Sequence, residues 1–222
     1  MEIAGSGFLA GRLRAIADRH PGTVALAAGV SGTSGSPDAA FAREAALVRE
    51  VVDRCRRTGR RVLFFSTASA SLYRADRPGR EDDPVVPRNP YGAHKLGLEI
   101  WLRGSGAGHL VLRLGHVVGR GQPPHQLVPT LARLLRTGTM TVHRGATRDL
   151  IGVHDLVTVV DALLGMGIWG QTVNVASGFA IPVEQIVDHL ERRTGTSARR
   201  EYLDGGAAHL VSVEKLRRWY PR

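Results

Sequence analysis

A tyrosine and a lysine stand four residues apart in the segment "NPYGAHKLGLEIW" (89–101). The segment predicts a helix, because Pro90 suits the first helical position and Asn89 can cap the helix before it. Such a helix places Tyr91 and Lys95 on one face, one turn apart. A nearby ammonium, together with the positive charge of a bound oxidised cofactor, favours the phenolate and lowers the pKa of a phenol, otherwise near ~10, so this pair could move a proton near neutral pH. A surface helix with a solvated lysine also fits the spacing.

Hydroxyl side chains at the end of an apolar run could complete such a site. The run "RVLFFSTAS" (61–69) is typical of a buried strand that ends in small and hydroxyl residues. Thr67, or less readily Ser69, could orient and polarise a carbonyl oxygen that receives the proton. A strand-end hydroxyl that only stabilises a turn is the alternative.

A glycine-rich turn near the N-terminus has the form of a dinucleotide-binding fingerprint. In "IAGSGFLAG", Gly5-x-Gly7-x-x-Ala10 follows a short apolar stretch and precedes a helical pattern. Gly5 allows the tight turn, Gly7 lets the backbone approach a pyrophosphate, and Ala10 permits close helix packing. The helix N-terminus favours the anion. Glycines at an ordinary strand-to-helix turn would give the same letters.

Strand-like and helical patterns alternate along the chain. Strand-like runs cover 23–32, 61–69, 109–119 and 171–177, and helical patterns cover 38–58, 155–166 and 182–195. This alternation predicts a parallel α/β sheet covered by helices on both faces. A length of 222 residues suits one domain, or a nucleotide-binding core with a small appendage.

Composition argues against several classes of protein. No apolar run approaches the ~18 residues of a membrane span, and the N-terminus lacks a signal pattern. The single cysteine, Cys55, excludes a disulfide framework and makes the cytoplasm the expected location. The net charge of +10 comes mostly from arginine, but aromatic residues form only 5% of the chain, which argues against a nucleic-acid partner. His125, His143 and His154 lack ligand-like spacing, so we expect no metal.

The glycine turn, the hydroxyl cluster and "YGAHK", in this order, resemble the extended short-chain dehydrogenase/reductase family. Within that family the likeness is strongest to nucleotide-sugar epimerases, dehydratases and 4-ketoreductases. Four further segments extend the likeness in family order: "ALAAGVSG", "VLRLGHVVGRG", "RDLIGVHDLV" and "TVNVASGFAIPVEQIVDHL". The resemblance implies a Rossmann-like doubly wound parallel sheet over 1–121, joined by helix 155–166, and a small, partly interleaved substrate-binding region over 122–222. It also implies a homodimer that pairs through segments 40–56 and 91–103.

The resemblance assigns roles to individual residues. It implies Thr67, Tyr91 and Lys95 as the catalytic set and NADP or NAD as the cofactor, with NADPH slightly favoured. The implied cofactor contacts are Gly5, Gly7, Phe8, Leu9, Ala28, Gly29, Tyr91, Lys95, Leu114 and His116. The implied substrate contacts are Ser69, His116, Gln126 and Arg148, the last as a clamp on a substrate pyrophosphate. A packed histidine at 116 and an Arg148–Asp149 ion pair are the alternatives.

Three features depart from the family pattern. The first helix runs almost directly into "TVALAAG", so two strands, with the acidic residue that holds the adenosine ribose, are missing. Because no Asp or Glu stands between Asp18 and Asp38, the choice between NAD and NADP cannot be read in the usual way. His116 stands where the family usually has asparagine. The hydroxyl cluster also lies two residues farther than usual from Tyr73.

Residue chemistry narrows the expected activity. Family dehydratases carry Asp-Glu directly after the catalytic threonine, where this chain has Ala68 and Ser69, and neither side chain can serve as that acid or base. A 4-epimerase keeps its cofactor through a full cycle, whereas a reductase exchanges it and tolerates the weaker grip that two missing strands imply. We therefore expect a 4-ketoreductase for an NDP-4-keto-6-deoxyhexose, of the kind used in antibiotic deoxysugar biosynthesis. A 4-epimerase and a catalytically degenerate binding or scaffold protein are the alternatives.

Overall fold

The computed structural model describes residues 1–30, 38–73 and 76–221. Its strands are β1 Glu2–Ala4, β2 Thr23–Leu26, β3 Arg61–Thr67, β4 His109–Leu114, β5 His116–Val118, β6 Thr139–His143, β7 Thr147–Arg148, β8 Leu150–Gly152, β9 Gln171–Val175, β10 Ile181–Pro182 and β11 Arg199–Leu203. Its helices are α1 Phe8–Leu13, α2 Asp38–Thr58, α3 Pro90–Gly104, α4 Leu127–Arg136, α5 Val153–Gly165, α6 Val183–Thr194 and α7 Glu214–Trp219, with a 3-10 helix over Arg14–Arg19.

Five parallel strands form the central sheet, in the order β1-β2-β3-β4-β9. Alternate strand residues point to opposite faces, and each face carries its own apolar cluster. Helices α1, α5 and α7 pack on one face and helices α2 and α3 on the other. The predicted Rossmann-like α/β fold with a parallel sheet is therefore confirmed.

Strand β1 lies at one edge of the described sheet, where it pairs with β2. The connections β1–α1–β2 and β2–α2–β3 step in the same direction across the sheet, yet α1 and α2 cover opposite faces. The two crossovers therefore have opposite hands, although nearly all such crossovers are right-handed. The predicted absence of two strands beyond β1 would give this geometry, because α1 would keep its face while the chain returned directly to the neighbouring strand.

Two predicted elements end earlier than their sequence patterns. The run 23–32 forms strand only over Thr23–Leu26, and its residues 31 and 32 lie outside the described residues. The run 109–119 divides at Gly115 into β4 and β5, and β5 leaves the central sheet to pair in parallel with β8. A Cβ at Gly115 would lie 3.1 Å from the Ala176 side chain, so the chain turns there in a crowded position.

A third apolar cluster lies outside the central sheet. Helices α4 and α6 pack against β6, which pairs in parallel with β11. Strands β7 and β10 form a short antiparallel pair beside them. None of the described helices is both long and apolar enough to cross a membrane.

A buried polar network ties α3 to the sheet. The Glu99 carboxylate accepts hydrogen bonds from Ser66 Oγ at 2.5 Å and from Arg113 Nη2 at 2.7 Å. Arg113 also donates to the phenol oxygen of Tyr73 at 2.9 Å, and that hydroxyl donates to Asn174 Oδ1 at 2.7 Å. Burial raises the pKa of Tyr73 to about 12, so the phenol stays neutral and the network holds one buried ion pair.

Candidate active site

Thr67, Tyr91 and Lys95 meet at the carboxyl end of the central sheet. Thr67 is the last residue of β3, and Tyr91 and Lys95 lie in the first two turns of α3. Asn89 caps this helix as predicted, accepting a hydrogen bond from the Gly92 amide at 2.8 Å. The Thr67 hydroxyl faces the Tyr91 phenol closely enough to lower its pKa, and Lys95 Nζ lies 5.9 Å from the centre of the Tyr91 ring. The helix start therefore brings a phenol, a hydroxyl and an ammonium together.

Burial and three neighbouring side chains set the ionisation of Tyr91. Burial is the largest effect and raises the pKa of the phenol above its ordinary value. Lys95 and the Thr67 hydrogen bond lower this pKa, but the Glu44 carboxylate raises it and the upward shift prevails. The expected lowering combined Lys95 with the positive charge of a bound oxidised cofactor, whereas among the protein's own groups burial and Glu44 outweigh Lys95. At neutral pH Tyr91 holds its proton, which is the state that a general acid requires.

Lys95 is paired with a carboxylate that the sequence analysis missed. Its Nζ donates to Glu44 Oε1 at 2.5 Å and to the Phe65 carbonyl at 3.4 Å, and both charged side chains are only 3% exposed. Glu44 precedes Val48 and Cys55 on the buried stripe of α2. A carboxylate at the helical spacing of an apolar stripe indicates a buried ion pair, because a charge on the buried face of a helix requires a partner.

The glycine turn has the geometry that the fingerprint requires. Gly5 has φ +141°, and a Cβ there would lie 2.5 Å from the Ala27 carbonyl oxygen, so only glycine fits. Gly7 precedes α1 with φ −74°, and a Cβ there would meet nothing within 4 Å. Ala10 is fully buried on the inner face of α1. The backbone at Gly7 is thus open to a ligand, whereas Gly5 and Ala10 are needed for the turn itself.

The remaining predicted cofactor residues line the same sheet edge. Phe8 and Leu9 are half-buried in α1, and Leu114 ends β4. Ala28 is exposed just after β2. A Cβ on Gly29 would lie 2.5 Å from Glu44 Oε1 and 2.7 Å from Lys95 Nζ, so this glycine permits the close approach of the two charged groups.

His116 begins β5 and presents an unpaired ring nitrogen. Its Nδ1 is buried without a hydrogen-bond partner, while its backbone amide donates to the Asp149 carbonyl at 2.8 Å. Burial, with smaller effects from His209 and Arg148, lowers the pKa of His116 to about 3, so the imidazole is neutral at pH 7. A neutral imidazole with a free nitrogen can donate or accept one hydrogen bond to a ligand.

His209 is a second imidazole that the sequence analysis did not single out. It is fully buried, its Nε2 lies 2.5 Å from the Ala68 carbonyl, and its ring stands edge-on to His116 at 5.2 Å. It lies in an irregular segment between β11 and α7, far along the chain from β3, so no local pattern could have placed it there.

Arg148 keeps its charge available. Its Nη1 donates to the carbonyls of Thr147 at 2.7 Å and Ala207 at 3.1 Å, and burial lowers its pKa. Asp149 is not its ion-pair partner, because the Asp149 carboxylate accepts hydrogen bonds from Ser177 and Gly178 instead. Among the described residues, no carboxylate forms a salt bridge with Arg148.

Ser69 and Gln126 make local contacts. The Ser69 amide donates to Thr67 Oγ1 at 3.1 Å, and its own hydroxyl accepts from the Ser71 amide at 3.3 Å. Gln126 precedes α4 and accepts a hydrogen bond from the Gln122 side chain at 3.0 Å. Ser69 therefore stands beside Thr67, whereas the contacts of Gln126 do not connect it to Thr67, Tyr91 or Lys95.

Residues 10–176 match the model of the NAD dependent epimerase/dehydratase family. The chain belongs to this family. Among curated proteins, UDP-glucose 4-epimerase of Azospirillum brasilense is 30% identical over 202 residues, which are 76% of this chain and 58% of that protein. The dTDP-6-deoxy-L-talose 4-dehydrogenase (NAD(P)(+)) of Kitasatospora kifunensis is 34% identical over 128 residues, which are 52% of this chain and 40% of that protein. The chain spans about half the length of the curated relatives it matches.

Solved structures of the family share this fold. MoeE5 in complex with UDP-glucose and NAD has a TM-score of 0.81 at 21% identity, with 97% of this chain and 90% of that chain covered. UDP-glucose 4-epimerase of Thermus thermophilus, in complex with NAD, has a TM-score of 0.73 at 22% identity, with 97% and 77% covered. These likenesses bear out the Rossmann-like fold expected of the family.

Proposed function

We propose that the protein is an NAD(P)H-dependent 4-ketoreductase that acts on an NDP-4-keto-6-deoxyhexose. The observation that carries the proposal is the contact of Thr67, protonated Tyr91 and Lys95 at the carboxyl edge of a parallel sheet. Ligands of open α/β sheets bind outside this edge. The K. kifunensis relative, named as a 4-dehydrogenase of a dTDP-6-deoxysugar, supports this reaction class.

The described residues fit a nicotinamide dinucleotide. Gly7 leaves open space where a Cβ would stand, so the backbone can meet a pyrophosphate, and Lys95 and Tyr91 lie where the nicotinamide end would be held. The reduced cofactor supplies a hydride to the ketone carbon when it is bound. NADPH and NADH are both candidates, with NADPH slightly favoured.

The protein's own groups would complete the reduction. Tyr91 donates its phenolic proton to the ketone oxygen while Thr67 hydrogen-bonds to the same oxygen and orients it. The free charge of Arg148 binds the pyrophosphate of the nucleotide sugar, and the neutral His116 offers one hydrogen bond to the sugar or the cofactor. Ala68, which is fully buried, cannot supply the carboxylate of a dehydratase.

A 4-epimerase is the second candidate, because the A. brasilense relative is named as one. The two activities differ in cofactor consumption. We expect NADPH or NADH absorbance to fall steadily when an NDP-4-keto-6-deoxyhexose is added. Interconversion of UDP-glucose and UDP-galactose with no net consumption of NAD(P)H would favour the epimerase, and no turnover of either substrate class would contradict both.

Binding at the glycine turn gives a direct test of the cofactor. Gly7→Ala should leave the melting temperature unchanged, since φ is −74° and the added methyl meets nothing. It should weaken NADPH binding about tenfold, because the methyl holds the pyrophosphate away from the backbone. Calorimetric titration compares the affinity of the variant with that of wild type. The matched control is Gly11→Ala, because Gly11 has equally open surroundings and lies in α1, the helix that Gly7 precedes. An affinity equal to wild type would contradict cofactor binding here, and no heat from wild type with NADH or NADPH would favour a scaffold protein.

The proposal also includes a homodimer and a separate sugar-binding region. A homodimer would pair through α2 and α3, and the 56% exposed side chain of Ile100 on α3 supports such a contact. Sedimentation equilibrium would give twice the monomer mass of 23.9 kDa for a dimer. We place the sugar-binding region at 122–222, where it is built on the apolar cluster of α4, α6 and β6. We place the enzyme in the cytoplasm, in a deoxysugar pathway of antibiotic biosynthesis.

A further inference from the structure

Glu44 is a charged, buried group for which the proposed reaction has no role yet. Its two carboxylate oxygens have different partners. Oε1 accepts from Lys95 Nζ at 2.5 Å, and Oε2 accepts from the Val30 amide at 3.0 Å and lies 3.0 Å from His94 Nε2. These contacts fix the carboxylate in one orientation directly behind the lysine.

His94 supports the carboxylate from the solvent side. Its side chain is 11% exposed, and its ring stacks on Phe41 of α2 with centroids 4.4 Å apart. The charged and titratable groups that face Glu44 are therefore Lys95 and His94 from α3, and those that act on Tyr91 are Lys95 and Glu44. The ion pair between the Glu44 carboxylate of α2 and the Lys95 ammonium of α3 therefore joins the two helices beside the Tyr91 phenol.

Lys95 stands out in this chain. Of the 30 Lys and Arg residues, Lys95 and Lys215 are the only lysines. An ammonium beside a phenol favours the phenolate and so influences the ionisation of that phenol. The carboxylate at 2.5 Å opposes that influence, because an anion beside the ammonium offsets its attraction for a phenolate.

We propose that Glu44 is a positioning residue that holds Lys95 at the crevice and offsets the attraction of its ammonium for a Tyr91 phenolate, which favours the protonated phenol that ketone reduction requires. This role depends on the proposed ketoreductase function in one respect only, namely that the reaction runs as a reduction and takes a proton from Tyr91. The contacts involve only side chains and backbone of this chain. Glu44 does not touch the reacting atoms and acts through Lys95.

The test is the titration of Tyr91 in Glu44→Gln. The amide keeps the shape and the hydrogen bond to Val30 but removes the charge. We expect the pKa of Tyr91 to fall by about one pH unit relative to wild type. NMR of protein labelled with carbon-13 at the tyrosine Cζ measures this, with Tyr91→Phe to assign the signal. Glu50→Gln, an exposed position on the same helix, should leave the titration unchanged.

Amine labelling gives a second readout that needs no substrate. Acetic anhydride followed by peptide mass spectrometry compares Lys95 with Lys215 inside one molecule. Wild-type Lys95 should react more slowly than Lys215, and Glu44→Gln should raise the Lys95 rate about tenfold while Lys215 is unchanged. The wild-type comparison stands even when the variant does not fold.

The outcomes separate the two proposals. An unshifted Tyr91 titration, or wild-type Lys95 that labels faster than Lys215, would overturn the role of Glu44. A wild-type protein that titrates as described but consumes no NAD(P)H with any ketosugar would leave that role in place and overturn the ketoreductase. In an active enzyme, the pH above which reduction slows should move down with the phenol in Glu44→Gln and stay fixed in Glu50→Gln.

Discussion

Tyr91→Phe is expected to lower kcat for ketone reduction about a thousandfold. A positioned general acid contributes roughly a hundredfold to ten-thousandfold to a rate, and this variant removes the only proposed proton donor. The aromatic ring, which is 9% exposed, keeps its packing, so the melting temperature should change little. Steady-state NADPH oxidation with an NDP-4-keto-6-deoxyhexose measures the effect, and cofactor affinity should stay within about threefold of wild type.

Tyr202→Phe is the matched control for this change. Tyr202 lies on β11 and is 38% exposed, so the enzyme should lose no activity when the Tyr202 hydroxyl is removed. Turnover of Tyr91→Phe within threefold of wild type would show that another group supplies the proton. Loss of activity together with loss of cofactor binding would show instead that the hydroxyl holds the cofactor.

The first turns of α3 could be predicted from sequence because their determinants are local. Asn89 caps the helix, and the four-residue spacing of Tyr91 and Lys95 sets one face of it. The glycine turn was readable for the same reason, since the positive φ of Gly5 requires a residue without a side chain. Local rules therefore placed these residues on the turn and the helix where the structure has them.

The electrostatics of the site could not be predicted, because they depend on distant residues. Glu44 lies 51 positions before Lys95, and only the packing of α2 against α3 brings them together. The direction of the Tyr91 pKa follows from that carboxylate and from burial, neither of which the helix pattern shows. His209 reaches Ala68 across 141 positions. A sequence pattern indicates which groups exist, and the fold decides which of them meet.

The buried network beneath the site should dominate stability. Glu99 is fully buried, and its carboxylate balances Arg113, which is 1% exposed and also holds Tyr73. Glu99→Gln keeps the volume but leaves the guanidinium buried without its counter-ion. Removing one partner of such a pair costs about 3–5 kcal/mol, so we expect the free energy of unfolding at pH 7 to fall by that amount. Urea denaturation measures this free energy, and Glu50→Gln, at an exposed position of α2, should change it by less than about 0.5 kcal/mol.

A double variant separates the loss of the pair from the loss of packing. Glu99→Leu with Arg113→Met removes both charges and fills their space with apolar groups. Because the main cost in the single variant is an uncompensated buried charge, the double variant should recover most of the lost stability. A single variant that loses less than about 1 kcal/mol would mean that Arg113 reaches solvent or another anion. A double variant no more stable than the single one would mean that the hydrogen bonds to Tyr73 and Ser66, and not the charge balance, hold α3 on the sheet.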